Sequence, residues 1–172
     1  THAPGVLVSL MPVQTPVFER QFEFDDFELT QRASFNVQAR VLSRRDYHLD
    51  PGAAIAPTDL ALGWGPMSDQ AILDQMEVSQ SGRWFNLRWG ETPSIPEHEI
   101  MSHASNMHII PANDYVGDVL DSVREGQIVQ LQGYLVDVAA SDGFRWNTSL
   151  SRTDTGNGAC ELFYVERLTL YE

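Results

Sequence analysis

The chain has no lysine. All 11 of its basic residues are arginine. That removes every mechanism built on a lysine amine: the Schiff base, the phosphate-binding lysine of P-loop and kinase sites, and the Ser-Lys dyad. Cysteine is nearly as scarce. With Cys160 alone, no internal disulfide and no Cys-x-x-Cys zinc or redox site can form. Clustered positive charge is missing too. The 24 acidic residues give a formal charge of −13. Phosphate neutralisation needs grouped Lys or Arg, so nucleic acid is not an expected partner, and neither is an anionic membrane surface. No apolar run approaches the ~18 residues of a membrane span, so this segment is not expected to insert directly into a bilayer.

What is present is a chain of 172 residues, 42% hydrophobic, enough to bury one core. It begins at Thr1 and its first methionine is Met11. The expectation is that an upstream segment has been removed, a signal peptide or N-terminal anchor being a natural candidate. Residues 1–20 are Pro-rich and read as an extended lead or linker. Residues 21–172 read as a single globular β-rich domain.

Alternation marks the strands. In "QFEFDDFEL" Phe22 and Phe24 differ in parity from Phe27 and Leu29, which a turn at Asp25-Asp26 reconciles. "ASFNVQARVLS" places Phe35, Val37, Ala39 and Val41 on one face. "GRWFNLRW" does the same with Phe85, Leu87 and Trp89. "NMHIIP", the long "QIVQLQGYLVDV" with Gly133 at a bend, "FRWNTSLS" and "CELFYVERLTLYE" complete the set. Helical spacing appears in two places. After Ser68, read as an N-cap, Ile72, Leu73 and Met76 share a face. After Asn113, the stripe is Tyr115, Val116, Val119, Leu120 and Val123, and Gly126 ends it. A single turn is expected after Pro96. Irregular order of strands and helices indicates a mainly β or α+β domain, a single mixed barrel with two or three short helices. The run from Val123 to Leu150, a helix followed by a bent strand and a hairpin, has the pattern of an OB-like barrel.

"LALGWGPMSD", "SNMHIIP", "GYLVDV" and "SLSRTDTGNGACE" together resemble a family of bacterial (proteobacterial-type) envelope proteins of unknown function, often carrying a membrane anchor ahead of the soluble domain. The likeness runs from about Phe35 to the C-terminus. It implies a bacterial origin and a location in the periplasm, or anchored facing it. It supplies no catalytic residues.

Chemistry-bearing residues are few. His98, His103 and His108 stand five apart. On a helix that spacing rotates neighbours by ~140°, and on a strand it sends them to opposite faces, so no metal site and no cofactor are expected. "GWG" around Trp64 is either a ligand platform or a tryptophan packed beneath its own loop. "RRDYH" and "SRTDTG" follow strands, where binding residues concentrate. The binding candidates are therefore His48, Trp64, His103, Asn106, His108, Arg152 and Asp154. The expected function is a non-catalytic extracytoplasmic binding module for a protein or small ligand. Two alternatives stand beside it: a hydrolase or acyl-transfer enzyme using Cys160 with His103 or His108, and a His-based metal-binding protein.

Cys160 separates the first two. It shares parity with Leu162, Tyr164, Glu166, Leu168 and Leu170, the more aliphatic face, which reads as the core side of its strand. A buried thiol has a raised pKa and is inert. The expected result is that a thiol reagent at neutral pH modifies Cys160 only after denaturation. Labelling in the native protein faster than that of a free thiol would make the nucleophile the better reading.

Overall fold

The computed structural model describes residues 2–90, 94–150 and 161–171. Strands dominate, as the alternation predicts. Five of them form a closed ring: β3 (Phe27–Asp46), β4 (Thr58–Gly63), β7 (Ala104–Pro111), β10 (Glu161–Tyr171) and β8 (Ile128–Ala140), with β8 returning to β3. Only β7 and β10 run parallel; the other ring pairings are antiparallel. Helix α3 (Asp114–Asp121) lies between β7 and β8 in the chain. Outside the ring, β1 (Val13–Pro16) and β2 (Gln21–Phe24) pair with β3, and β9 (Arg145–Trp146) pairs with β8. β5 (Met76–Ser81) and β6 (Trp84–Trp89) make a separate two-stranded sheet. Two short helices, α1 (Gln70–Leu73) and α2 (Glu97–Ser102), flank that hairpin in sequence. Among the described residues no helix is long and apolar enough to cross a membrane.

The inward face of the ring is mainly apolar, with buried Glu161 of β10 accepting a hydrogen bond from Ser105 of β7 on the same parity. Phe35, Val37, Ala39 and Val41 of β3 meet Leu60 and Leu62 of β4, Met107 and Ile109 of β7, and Phe163 and Val165 of β10. Phe35 and Phe163 pack edge-to-face, centroids 5.1 Å apart at 88°, an arrangement the ring quadrupoles favour. Gly133 is where β8 and β10 come closest. A Cβ there would lie 1.9 Å from the Tyr164 carbonyl oxygen, so only glycine permits this backbone approach.

Several local expectations hold. The Asp25-Asp26 turn sets Phe22 opposite Leu29 and Phe24 opposite Phe27. Asn113 caps α3, its Oδ1 accepting from the Val116 amide at 2.9 Å. One helical turn follows Pro96. Others need correction. Asp69, not Ser68, caps α1 by accepting from the Ala71 amide. The Ser68 hydroxyl instead accepts from the Leu7 and Val8 amides, at 3.1 and 3.0 Å, and fixes the N-terminal lead so that Val8 enters the core. Tyr115 is 73% exposed and lies off the α3 stripe. Among the described residues of "FRWNTSLS", only Arg145–Trp146 is strand. In β10 the core parity switches. A bulge between Val165 and Arg167 puts Phe163 and Val165 inside before it, and Leu168 and Leu170 after it. Leu162 and Tyr164, which share Cys160's parity, belong to a second cluster against Leu29, Ile55 and Val138. A bulge inserts one residue and inverts every later side chain, so carrying one parity through the whole of β10 puts Leu162 and Leu168 on the same face.

Candidate functional site

Strand β4 is buried on both faces. Leu60 and Leu62 point into the barrel. Asp59 has the opposite parity, so an ionisable residue faces outward from an apolar strand, yet it is 0% exposed. A carboxylate there must be paired and hydrogen-bonded. Its Oδ1 accepts from Arg83 Nη1 at 2.7 Å and from His108 Nδ1 at 2.8 Å. Its Oδ2 accepts from Asn106 Nδ2 at 3.2 Å. The register explains the histidine: His108 of β7 is the cross-strand partner of Asp59. Asn106, two residues earlier on the same face, in turn accepts from Gln80 Nε2 at 2.8 Å.

Arg83 comes from the tip of the β5–β6 hairpin. Gly82 and Arg83 both have positive φ, 57° and 69°, the pattern of a type I′ turn. Glycine is usual at the second of these positions; here arginine holds it, at a conformational cost of about 1–2 kcal/mol. The guanidinium repays this with contacts. Its Nε and Nη2 bond both oxygens of Asp50, at 2.5 and 2.9 Å, while Nη1 bonds Asp59. Its carbon lies 4.1 Å from the centre of the Tyr47 ring and 5.1 Å from that of Trp146, and its backbone amide donates to the Tyr47 hydroxyl at 2.9 Å. Trp146 packs on His108, centroids 4.6 Å apart. It also lies against Gly52, where a Cβ would meet the indole at 2.2 Å.

Electrostatics follow from this geometry. Arg83 hydrogen-bonds the Asp50 carboxyl and holds it below its usual range. Burial pulls Arg83 down, but its bonds to Asp50 and Asp59 prevail and its pKa is raised. Burial raises Tyr47. Asp50 therefore stabilises the fold fully above its ordinary pKa of 3.8, and that contribution is lost as pH falls through the depressed folded value. Thermal unfolding midpoints are expected to fall on acidification below pH 3.8, and Asp50→Asn to flatten that part of the profile. An unchanged acid limb in the variant would show that Asp50 carries none of it.

The structure brings together two of the residues singled out from sequence, Asn106 and His108. His48 is exposed beside a separate groove of about 700 Å³, lined also by Arg44, Asp46 and the acidic face of α3. There Arg44 caps the end of α3, bonding the Leu120 and Val123 carbonyls, a favourable place for a cation. Trp64 is 1% exposed within the barrel core, packed beneath its own loop. His103 ends α2, with Nδ1 donating to the Glu99 carbonyl at 2.6 Å. His98 is exposed on α2. The three histidines do not converge. Among the described residues no group of three His, Cys, Asp or Glu side chains could hold a metal. Cys160, Arg152 and Asp154 lie outside the described residues.

Sequence reasoning passed over Asp50, Asp59, Arg83, Tyr47 and Trp146. Two signals were available. In "TDLALG" an aspartate opens an otherwise apolar strand. In "SGRW" a Gly-Arg pair links two alternating segments where a glycine would ordinarily come second. No protein-family model, curated protein or solved structure matches the chain.

Proposed function

We propose that this chain is a non-catalytic binding module of the bacterial cell envelope, built on an OB-type barrel. It engages a protein or small ligand beside the outer face of β4 and β7, at the connection 47–57 and the tip of the β5–β6 hairpin, which pack over that buried face. The ring order, the parallel β7–β10 pair and the helix between the third and fourth ring strands support the OB assignment. Barrels of that type bind ligands on the face of their second and third strands and on the adjoining loops. Here those parts are β4, β7, the connection 47–57 and residues 141–150. The carrying observation is that the polar and aromatic side chains Asp59, Asn106, His108, Tyr47 and Trp146 gather on this face, while the interior is mainly apolar. The envelope location rests on the resemblance of four sequence motifs to those of an anchored bacterial family. The −13 charge without lysine weighs against single-stranded nucleic acid as the ligand.

Site-specific photocrosslinking tests the proposal. Leu49 and Trp84 are exposed at 99% and 41% and adjoin the face, whereas Tyr171, 41% exposed, sits at the far end of β10. A crosslinking residue at 49 or 84 is expected to trap the same component of a bacterial envelope extract, with none trapped from 171. Equal trapping from all three positions, or trapping from 171 alone, refutes the assignment of the face.

A further inference from the structure

We propose that the pocket formed by Asp50, Asp59, Tyr47 and Trp146 is a guanidinium receptor. Arg83 fills it in cis, and it receives the arginine side chain of a partner polypeptide in trans when the β5–β6 hairpin lifts. This rests on the binding-face reading above and names its partner chemistry.

The pocket matches a guanidinium on its edges and on its faces. Asp50 meets one edge with both oxygens, and Asp59 meets a further nitrogen. Tyr47 and Trp146 supply ring faces within 4.1 and 5.1 Å of the guanidinium carbon. A lysine ammonium, a compact point charge, satisfies neither the fork nor the stack. Arg83 occupies the pocket from a backbone conformation disfavoured for arginine, φ 69°. Non-glycine residues held in such conformations cluster at clamps and switches. One buried acceptor is left over. Gln80, 7% exposed, donates to Asn106 in this cluster, and its Oε1 has no hydrogen-bond partner among the described residues.

No backbone ladder ties the occupant to the barrel: among the described residues β5 and β6 pair only with each other, and lifting their tip must loosen the packing of Val78, Phe85 and Leu87 on the cluster of Leu42, Ala61, Met67, Ile72 and Ile100. Asp50 retains 30% side-chain exposure, so the receptor opens to solvent on that side. The protein's own excess of negative charge favours the approach of an arginine-bearing chain.

The test uses the whole chain, with N-acetylarginine amide and N-acetyllysine amide as probes in calorimetric titrations. Arg83→Ala is expected to bind the arginine probe at least about tenfold more tightly than the lysine probe, and to lose that preference on adding Asp50→Asn. The wild-type chain is expected to bind an arginine-containing peptide saturably but more weakly than Arg83→Ala, with faster amide exchange across residues 76–89 as the hairpin lifts. Where Arg83→Ala does not fold, Arg83→Lys takes its place, and the wild-type arm needs no variant. Equal affinity for both probes, no saturable binding by the wild type, or binding without faster hairpin exchange each overturns the proposal. The two readings fail separately. Crosslinks from 49 and 84 without an arginine preference remove the receptor alone. An arginine preference without those crosslinks removes the binding-module reading.

Discussion

Asp59→Ala is expected to destabilise the fold by about 3–5 kcal/mol, the usual cost of removing one partner from a buried ion pair. Asp59 is 0% exposed and accepts from Arg83, His108 and Asn106. Its loss strands three donors where water has little access, and each unsatisfied group carries its own desolvation penalty. For a chain of this size the thermal midpoint should drop by roughly 10 °C or more. Arg83→Ala should cost less, because Asp50 is partly exposed and can turn to water. Asp59 would remain bonded to His108 and Asn106. Urea unfolding of both variants ranks them. An Asp59→Ala loss below about 1 kcal/mol, the range of an exposed pair, would mean that this carboxylate does not hold the hairpin and the connection 47–57 to the barrel.

The second large effect belongs to the backbone. Gly133→Ala places a methyl 1.9 Å from the Tyr164 oxygen, 3.0 Å from its carbonyl carbon and 3.2 Å from the Glu166 nitrogen. All three are main-chain atoms of the neighbouring strand, so no side chain can swing away. β8 and β10 must separate, and the ring has no free edge through which to relax. The expected loss is about 3 kcal/mol or more, at or above the upper end for overpacking a well-filled core. Two glycines serve as controls in the same denaturation series. A Cβ at Gly90 meets nothing within 4 Å among the described residues and should change little. At Gly117, inside α3, the nearest atom is Pro111 Cβ at 4.0 Å. There alanine should stabilise by about 0.5–1 kcal/mol through its helix propensity. Tolerance of alanine at 133 equal to that at 90 would contradict the close approach.

These two sites differ in how much of them the sequence discloses. Gly133 stands out in "QLQGYLVDV" because glycine interrupts a strand only where something requires it. The inward face of β3 is equally plain, since Phe35, Val37, Ala39 and Val41 keep one parity without interruption. Asp59 is harder. A single aspartate before "LALG" carries no period, and its partners come from the 47–57 connection, from β7 and from a hairpin tip 24 residues away. Pairwise proximity across the ring is a property of register, which is fixed only when all the strands are placed. The Val165/Arg167 bulge leaves a trace, since in "FYVERLTL" the apolar positions change parity between Val165 and Leu168, but Leu162 and Tyr164 on the other parity mask it. The three histidines mislead for the opposite reason: they are regular in sequence but occupy a helix surface, a helix end and a strand.

The place of β10 in the ring has a bearing on when this protein can fold. Among the ring strands β10 comes latest in the chain, yet it sits between β7 and β8 and pairs with both. Until residues beyond 161 have been synthesised, the earlier ring strands can form only an open sheet with β7 and β8 as bare edges. Such a sheet lacks Phe163, Val165 and Leu168 from its core, and its unpaired edges invite association with other chains. The ring can therefore close only after β10 has been synthesised, so the last ring strand in the chain is the one that turns an edged sheet into a barrel.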